Sequence, residues 1–152
     1  GARGAGDEGA HRPGGAGVIV GFGLDVVEVA RLERLLSGRA SRGRAERFLD
    51  RCFTAGERAY CDARRDRASR YAARFAAKEA VVKALGAPAG VRWTDIEVSR
   101  AEGAPAIRLG GAAERAARDL GVDAVHLTLT HDGGVAAAAV VLESRGARAG
   151  AP

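Results

Sequence analysis

Residues 74–86 read Arg74-Phe75-Ala76-Ala77-Lys78-Glu79-Ala80-Val81-Val82-Lys83-Ala84-Leu85-Gly86 and contain both lysines of the chain. Every other strongly basic side chain is an arginine, so a retained lysine indicates that a compact, flexible point charge is needed there. Glu79 precedes Lys83 by four residues, and residues at this spacing share one face of a helix. The pair is therefore either an ordinary salt bridge on a helix surface or part of a functional site.

The composition limits the classes of protein to which the chain can belong. Its 152 residues fit one domain, and the formal net charge of +5 favours an anionic partner. Cys52 and Cys61 are too few for a disulfide framework or a cysteine-rich zinc site. No apolar run approaches the roughly 20 residues of a membrane span, and no continuous hydrophobic region of a signal peptide is found near residue 1. We therefore expect a cytoplasmic protein.

The two ends of the chain differ in composition from its centre. Residues 1–17 are mainly glycine and alanine with scattered charges, and residues 144–152 have a similar composition. Neither segment has a periodic apolar face, so both are predicted to be flexible tails. The folded domain is expected to span residues 18–143.

Between the tails, the pattern alternates between strands and helices and predicts an α+β domain. Val18–Gly23 predicts a buried strand, and apolar residues spaced by three or four predict a helix from about Val27 to Ser37. The chain closes with a hairpin that turns at Asp132-Gly133-Gly134. The other predicted elements are a helix at 44–65 interrupted near Thr54, a helix around 71–85, short strands around 96–98 and 106–109, and a helix at 112–120.

Three side chains outside the lysine pair are candidates for chemistry. Asp25 follows the glycines of the first strand and is predicted at the start of the next helix, where a carboxylate also has the plain role of favouring the helix dipole. His131 is predicted at a strand end beside a turn. A pair of carboxylates near cations, such as Asp25 and Glu79, is what a magnesium-assisted phosphate site needs: hard oxygen ligands for the metal, and lysine or histidine for the remaining phosphate charge. P-loop, GxGxxG, GxSxG and HExxH motifs are absent from the sequence.

In order, these segments resemble the holo-acyl-carrier-protein synthases, the small class of 4'-phosphopantetheinyl transferases. Residues 21–32 are similar to that family's opening glycine-x-glycine-x-aspartate segment, and residues 74–86 are nearly its signature as they stand. A weaker match covers Arg47 to Glu57, and residues 127–131 resemble the closing hairpin, with Thr128 where serine is common. The resemblance covers residues 18–143.

The resemblance implies a fold and an assembly. The fold is that of the 4'-phosphopantetheinyl transferases, with an antiparallel sheet packed with helices. Family members of this size form homotrimers whose active sites lie between subunits, whereas a related class carries two such halves in one chain. Each motif occurs once here, so we expect a half-size protomer that must assemble.

The resemblance also implies a reaction. A serine of an apo acyl carrier protein attacks the β-phosphate of coenzyme A, receives the 4'-phosphopantetheine arm and releases adenosine 3',5'-bisphosphate. Asp25 and Glu79 match the magnesium ligands of the family, and Lys83 would stabilise the leaving group. Either Glu79 or a metal-bound water would deprotonate the serine. Arg74, Lys83 and His131 are the candidates for binding the phosphates of coenzyme A.

The carrier protein of this reaction typically presents an acidic helix next to its modified serine. Arg31 and Arg34 lie three residues apart on the helix predicted after Asp25, so they share one face. We expect them to dock the acidic helix by charge complementarity, with help from Arg39, Arg42 or Arg44.

Two other functions fit part of the sequence. Between residues 31 and 70 lie 12 arginines and 6 acidic residues, which would suit a basic nucleic-acid-binding module. That stretch has few interleaved aromatic residues and no recognition motif, so we expect neither nucleic acid nor a membrane as a partner. A magnesium phosphotransferase for another nucleotide would share the site but not the close match of the motifs.

Overall fold

The computed structural model describes residues 16–38, 42–101 and 103–146. The predicted tails and Arg39 therefore lie largely or wholly outside the described residues, as does the side chain of Arg42. The described elements, in chain order, are β1 (Val18–Glu28), α1 (Val29–Ser37), α2 (Arg42–Cys52), α3 (Ala55–Asp62), α4 (Arg67–Ala84), β2 (Ile96–Ala101), β3 (Ala104–Leu109), α5 (Gly111–Asp119), β4 (Ala124–Asp132) and β5 (Val135–Ser144).

Two antiparallel sheets and one long helix build the core. The larger sheet has the strand order β1–β5–β4, and β2 pairs with β3 in a separate hairpin. Helix α4 packs against β1 and β5, and β5 turns every second residue toward this core: Ala136, Ala138, Val140 and Leu142 are buried. The predicted α+β fold with an antiparallel sheet packed with helices is confirmed. Among the described residues, no helix combines the length and apolar character needed to cross a bilayer.

The structure corrects the prediction for the first strand. β1 continues to Glu28, so Asp25 lies within a strand, paired with Ala138, and not at the start of a helix. The strand is also less buried than predicted, because β1 is an edge strand and Phe22 on its outer face is 61% exposed. A short segment such as residues 24–28 fits either a strand or a helix, and pairing with β5 decides in favour of the strand.

Thr54 begins a new helix, as predicted from the interruption near that residue. The Thr54 hydroxyl accepts a hydrogen bond from the Glu57 amide, and the Glu57 carboxylate accepts one from the Thr54 amide. This reciprocal capping box satisfies two amide groups that α3 cannot pair internally. It also holds the Glu57 carboxylate beneath α4.

A buried ion pair fixes the rotation of α4. Lys78 Nζ lies 2.8 Å from Glu57 Oε2, and neither side chain is exposed. The ammonium also donates to the carbonyl oxygens of Trp93 and Ile96, while Glu57 accepts a further hydrogen bond from the amide of Val98. Because Lys78 points into the core, the next residue in α4 projects about 100° away around the helix.

Candidate active site

Two glycines allow α4 to lie directly on β1. A Cβ atom at Gly23 would come within 1.8 Å of the Ala80 carbonyl oxygen, and one at Gly21 within 2.3 Å of the Ala84 carbonyl oxygen. No side chain fits such a gap without a backbone shift. The glycine-x-glycine pattern therefore permits the close approach that brings the last turns of α4 beside Asp25.

Lys83 contacts Asp25 at this junction. Its Nζ atom lies 2.9 Å from Asp25 Oδ1 and 3.0 Å from the Leu24 carbonyl oxygen. The hydrogen bond to Asp25 raises the pKa of Lys83. Within the described part of the chain, Lys83 makes this ion pair and none with Glu79, so the interpretation of Glu79 and Lys83 as a simple i,i+4 salt bridge is wrong.

Glu79 interacts electrostatically with Asp25 and Lys83 and so belongs to the same cluster. Burial raises the pKa of its carboxyl group, and the negative charge of Asp25 raises it further. Lys83 and Arg31 oppose this shift with their positive charges. The structure thus brings two carboxylates and two cations from β1, α1 and α4 into mutual electrostatic influence, and the like charges of Asp25 and Glu79 favour a cation near them.

Asp25 and Glu79 form a small set of ligands. Among the described residues, no group of three or more histidine, cysteine, aspartate or glutamate side chains is placed to hold a metal ion. A magnesium ion is compatible with such a site, because it commonly uses one or two carboxylates together with water and substrate phosphates. The ammonium of Lys83 already bridges a carboxylate and a carbonyl oxygen, so a cation is accommodated here.

Arg74 and His131 line a second cavity, of about 170 Å³. The Arg74 side chain is buried and stacks on the Tyr60 ring, with its Cζ atom 4.0 Å from the ring centroid. Its Nε atom is buried without a hydrogen-bond partner. Arg70 and Arg100 also line the cavity, so an anion entering it would meet several guanidinium groups.

Within one chain, the cluster of Asp25, Glu79 and Lys83 lies apart from the cavity lined by Arg74 and His131. Asp25 is on β1 and His131 is on β4, the two outer strands of the three-stranded sheet. Lys83 lies with Asp25 and does not line the cavity of Arg74 and His131. Within one chain, Asp25 and His131 therefore lie on opposite edges of the three-stranded sheet.

Arg31 and Arg34 lie together on one surface. They line a groove of about 460 Å³ between α1 and α2, to which Arg44 also contributes. Its apolar lining consists of Leu32, Leu35 and Phe48. The positive charge of Arg31 also acts on the carboxyl group of Glu79 and opposes the rise in its pKa, although Glu79 does not line this groove.

Sequence reasoning missed the roles of Lys78 and Tyr60. A signal for Lys78 exists: it follows Phe75 by three residues and precedes Val82 by four, which is the spacing of the buried face of α4. No comparable signal marks Tyr60, whose contacts with Arg74 and Arg100 span different elements.

Comparison with known proteins gives consistent results. Residues 21–140 match the family model described as ACPS, the 4'-phosphopantetheinyl transferase superfamily. The holo-[acyl-carrier-protein] synthase of Anaeromyxobacter dehalogenans (strain 2CP-C) is 67% identical over 129 residues, covering 85% of this chain and 99% of that protein. That of Myxococcus xanthus is 55% identical over 128 residues, covering 84% and 98%.

A solved structure supports the same grouping. The holo-(acyl-carrier-protein) synthase of Bacillus anthracis, in complex with CoA (3',5'-ADP), matches with a TM-score of 0.66 and 34% identity over 85% of this chain and 99% of that chain. The family match spans most of the described residues, including both edges of the larger sheet. The chain is therefore an enzyme of the holo-[acyl-carrier-protein] synthase family, within the 4'-phosphopantetheinyl transferases.

Proposed function

We propose that the chain transfers the 4'-phosphopantetheine arm of coenzyme A to a serine of an apo acyl carrier protein. The observation that carries this proposal is the meeting of Asp25, Glu79 and Lys83 where α4 crosses β1. The Bacillus anthracis relative was solved with coenzyme A, which supports coenzyme A as the donor. The serine oxygen forms a bond to the β-phosphorus, the pyrophosphate bond breaks, and adenosine 3',5'-bisphosphate leaves.

Asp25 and Glu79 are the residues that would hold a magnesium ion. Bound magnesium would neutralise charge on the pyrophosphate during transfer. Lys83, half-exposed at 52% on a flexible stem, reaches the same space and supplies positive charge to the leaving phosphate. Phosphoryl transfer depends mainly on positioning and charge stabilisation, which fits a site without a nucleophile of its own.

Glu79 is our choice for accepting the proton of the attacking serine. As a carboxylate of the proposed active-site cluster, it is a suitable acceptor for this proton. The proton taken from the serine then passes from this carboxylate to solvent or to the departing phosphate.

The cavity around Arg74 and His131 suits the remaining phosphate charge of coenzyme A. Buried Arg74 has an Nε atom without a partner, and buried donors of this kind normally have one. A phosphate oxygen would provide that partner, and Arg70 and Arg100 would add positive charge around it.

The groove between α1 and α2 suits the acyl carrier protein. Arg31 and Arg34 provide the charge, and Leu32, Leu35 and Phe48 provide an apolar floor. An amphipathic acidic helix is complementary to this combination. Arg31 lines the groove and its charge acts on Glu79, which supports delivery of a serine beside that helix toward the carboxylates.

We further propose that three copies of the chain assemble. Phe22, Leu24 and Val26, on the outer face of β1, are 61%, 52% and 57% exposed, and apolar patches of this kind commonly mark interfaces. Pairing of the β1 edge of one copy with the β4 edge of the next would join Asp25 to the cavity of His131.

The buried free thiols of Cys52 and Cys61 suit the reducing cytoplasm, where we place the protein.

One incubation tests this function. The protein is mixed with coenzyme A, magnesium and an apo acyl carrier protein, and the carrier is analysed by intact-mass spectrometry. We expect the mass to increase by one phosphopantetheine group, and omission of magnesium or coenzyme A to prevent it. An unchanged carrier mass with several apo carrier proteins would overturn the proposal.

A further inference from the structure

Lys83 occupies a cation position between two oxygen atoms of β1. Its Nζ atom lies 2.9 Å from the carboxylate oxygen of Asp25 and 3.0 Å from the carbonyl oxygen of Leu24. Carboxylate and carbonyl oxygens are also the ligands that hard divalent cations use. Asp25, assigned above to magnesium, is therefore already neutralised by a side chain of the protein itself.

Lys83 is the mobile partner of this ion pair. Asp25 belongs to β1, where it is paired with Ala138, and its side chain is 18% exposed. The Lys83 side chain is 52% exposed and ends in a flexible four-carbon stem. Gly23 lets the backbone of α4 lie directly on β1, so the flexible Lys83 side chain, and not the packed helix, is the part best able to move. When a second cation approaches Asp25, the Lys83 ammonium is the group that gives way.

Glu79 does not hold Lys83 in an alternative ion pair. Within the described residues, the only ion pair of Lys83 is with Asp25, and Glu79 senses Lys83 only as a nearby charge. We expect an ammonium that leaves Asp25 to contact a phosphate bound in the same space. Asp25 and Glu79 are the only acidic ligands identified among the described residues. We therefore expect the site without substrate to hold a divalent cation weakly, and substrate oxygens are needed to complete the coordination of the metal.

We propose that Lys83 is a displaceable counter-ion of Asp25, which weakens divalent-cation binding to the free protein and frees the carboxylate when a pyrophosphate attracts the ammonium. This inference rests on the proposed function, specifically on the assignment of a metal to Asp25 and Glu79. It follows that divalent cation and coenzyme A bind cooperatively, each raising the affinity for the other by the same factor.

The test measures Mn²⁺ binding to the full chain by the electron paramagnetic resonance signal of free Mn²⁺, with and without coenzyme A. Lys83→Met should bind Mn²⁺ about thirtyfold more tightly than wild type without coenzyme A at low salt, because charges of +1 and +2 about 4 Å apart repel by about that factor in a water-like dielectric. Adding coenzyme A should raise Mn²⁺ affinity less in this variant than in wild type.

Two further variants serve as matched controls. Arg31→Met removes a positive charge that also acts on Glu79 but makes no bond to Asp25, so it should change Mn²⁺ affinity about twofold or less at about 0.15 M salt, where exposed charges are screened. Asp25→Asn removes the assigned ligand and should weaken Mn²⁺ binding in the presence of coenzyme A.

The possible outcomes distinguish failure of the counter-ion role from failure of the proposed metal site on which it rests. Equal or weaker Mn²⁺ binding by Lys83→Met, with Asp25→Asn still defective, would overturn the counter-ion role and leave the metal site in place. An equal gain in Arg31→Met would also overturn it, since the effect would then be one of general charge. Mn²⁺ binding that Asp25→Asn does not weaken would overturn the metal site and this inference together.

Discussion

The Nζ atom of Lys78 lies 2.8 Å from Oε2 of Glu57 in a fully buried ion pair, whereas Lys83, five residues later in α4, is half-exposed and pairs with Asp25. The only two lysines of the chain thus have different roles. One fixes the helix in the core, and the other projects from it toward the carboxylates. Both roles call for a flexible point charge, the property that distinguishes lysine from arginine.

This contrast predicts that the same substitution at the two lysines affects stability very differently. Lys78→Met leaves the Glu57 carboxylate buried without its counter-charge and should lower the free energy of unfolding by about 3–5 kcal/mol. Lys83→Met removes an exposed ion pair and should change it little. Urea denaturation of the two variants provides the comparison. Equal midpoints for both variants would contradict the structural role of Lys78.

Gly23 is predicted to be essential for the geometry of the site. Gly23→Ala places a Cβ atom 1.8 Å from the Ala80 carbonyl oxygen, so α4 must move away from β1, at a cost of about 1–3 kcal/mol. Transfer activity should fall further than stability explains, because the shift separates Asp25 from Glu79 and Lys83.

Gly56→Ala is the matched control for that substitution. A Cβ atom there meets its nearest neighbour, Thr54 Oγ1, at 3.9 Å, and Gly56 lies in the first turn of α3, where alanine is a better helix former. We expect unchanged activity and unchanged or slightly raised stability. Wild-type activity in Gly23→Ala would show that the close helix contact is not needed.

The two thiols are predicted to react only after unfolding. Burial raises the pKa of Cys52 and of Cys61 from 9.0 to about 11, and only thiolates react readily. The raised pKa means that the native state keeps protons that the unfolded state loses, so this contribution to stability is full below pH 9 and is lost as the pH rises toward 11. Titration with a thiol reagent at pH 8 should detect neither group until denaturant is added; rapid native reactivity would contradict the buried placement.

Charge reversal in the groove should separate the two substrates. Arg31→Glu with Arg34→Glu should raise the KM for the carrier protein strongly and leave coenzyme A binding nearly unchanged, since the groove lies on α1 and α2. Reversal of Arg115 and Arg118, which have the same spacing on α5, is the control and should have little effect. Equal loss of affinity for both substrates would instead mean that α1 supports the coenzyme site.

The sequence was sufficient to predict the helical and hairpin parts of the fold. α4 has regular apolar spacing, α3 has its threonine cap, and the β4–β5 hairpin has an Asp-Gly-Gly turn, so local signals agree with the tertiary structure. β1 was predicted too short, because residues 24–28 fit a strand or a helix and only long-range pairing with β5 distinguishes them.

The sequence predicted which residues belong to the candidate site but not which of them contact each other. Asp25 and Lys83 are 58 residues apart in the chain, and no local pattern reveals that they touch. The i,i+4 spacing of Glu79 and Lys83 suggested a pair that does not form, because the strand carboxylate is the better-placed acceptor. Helical periodicity places both lysines on α4. The contacts of α4 with other elements determine that Lys78 is buried and Lys83 is half-exposed.

The most direct test of the account measures phosphopantetheine transfer by the double variant Asp25→Ala with Glu79→Ala. These substitutions remove both carboxylates proposed to hold magnesium, and both residues are only partly buried, so the fold should remain intact by circular dichroism. With coenzyme A, low magnesium and an apo carrier protein, wild type should convert the carrier while the double variant leaves its mass unchanged. Near-wild-type conversion by a folded double variant would contradict the assignment of this cluster as the active site.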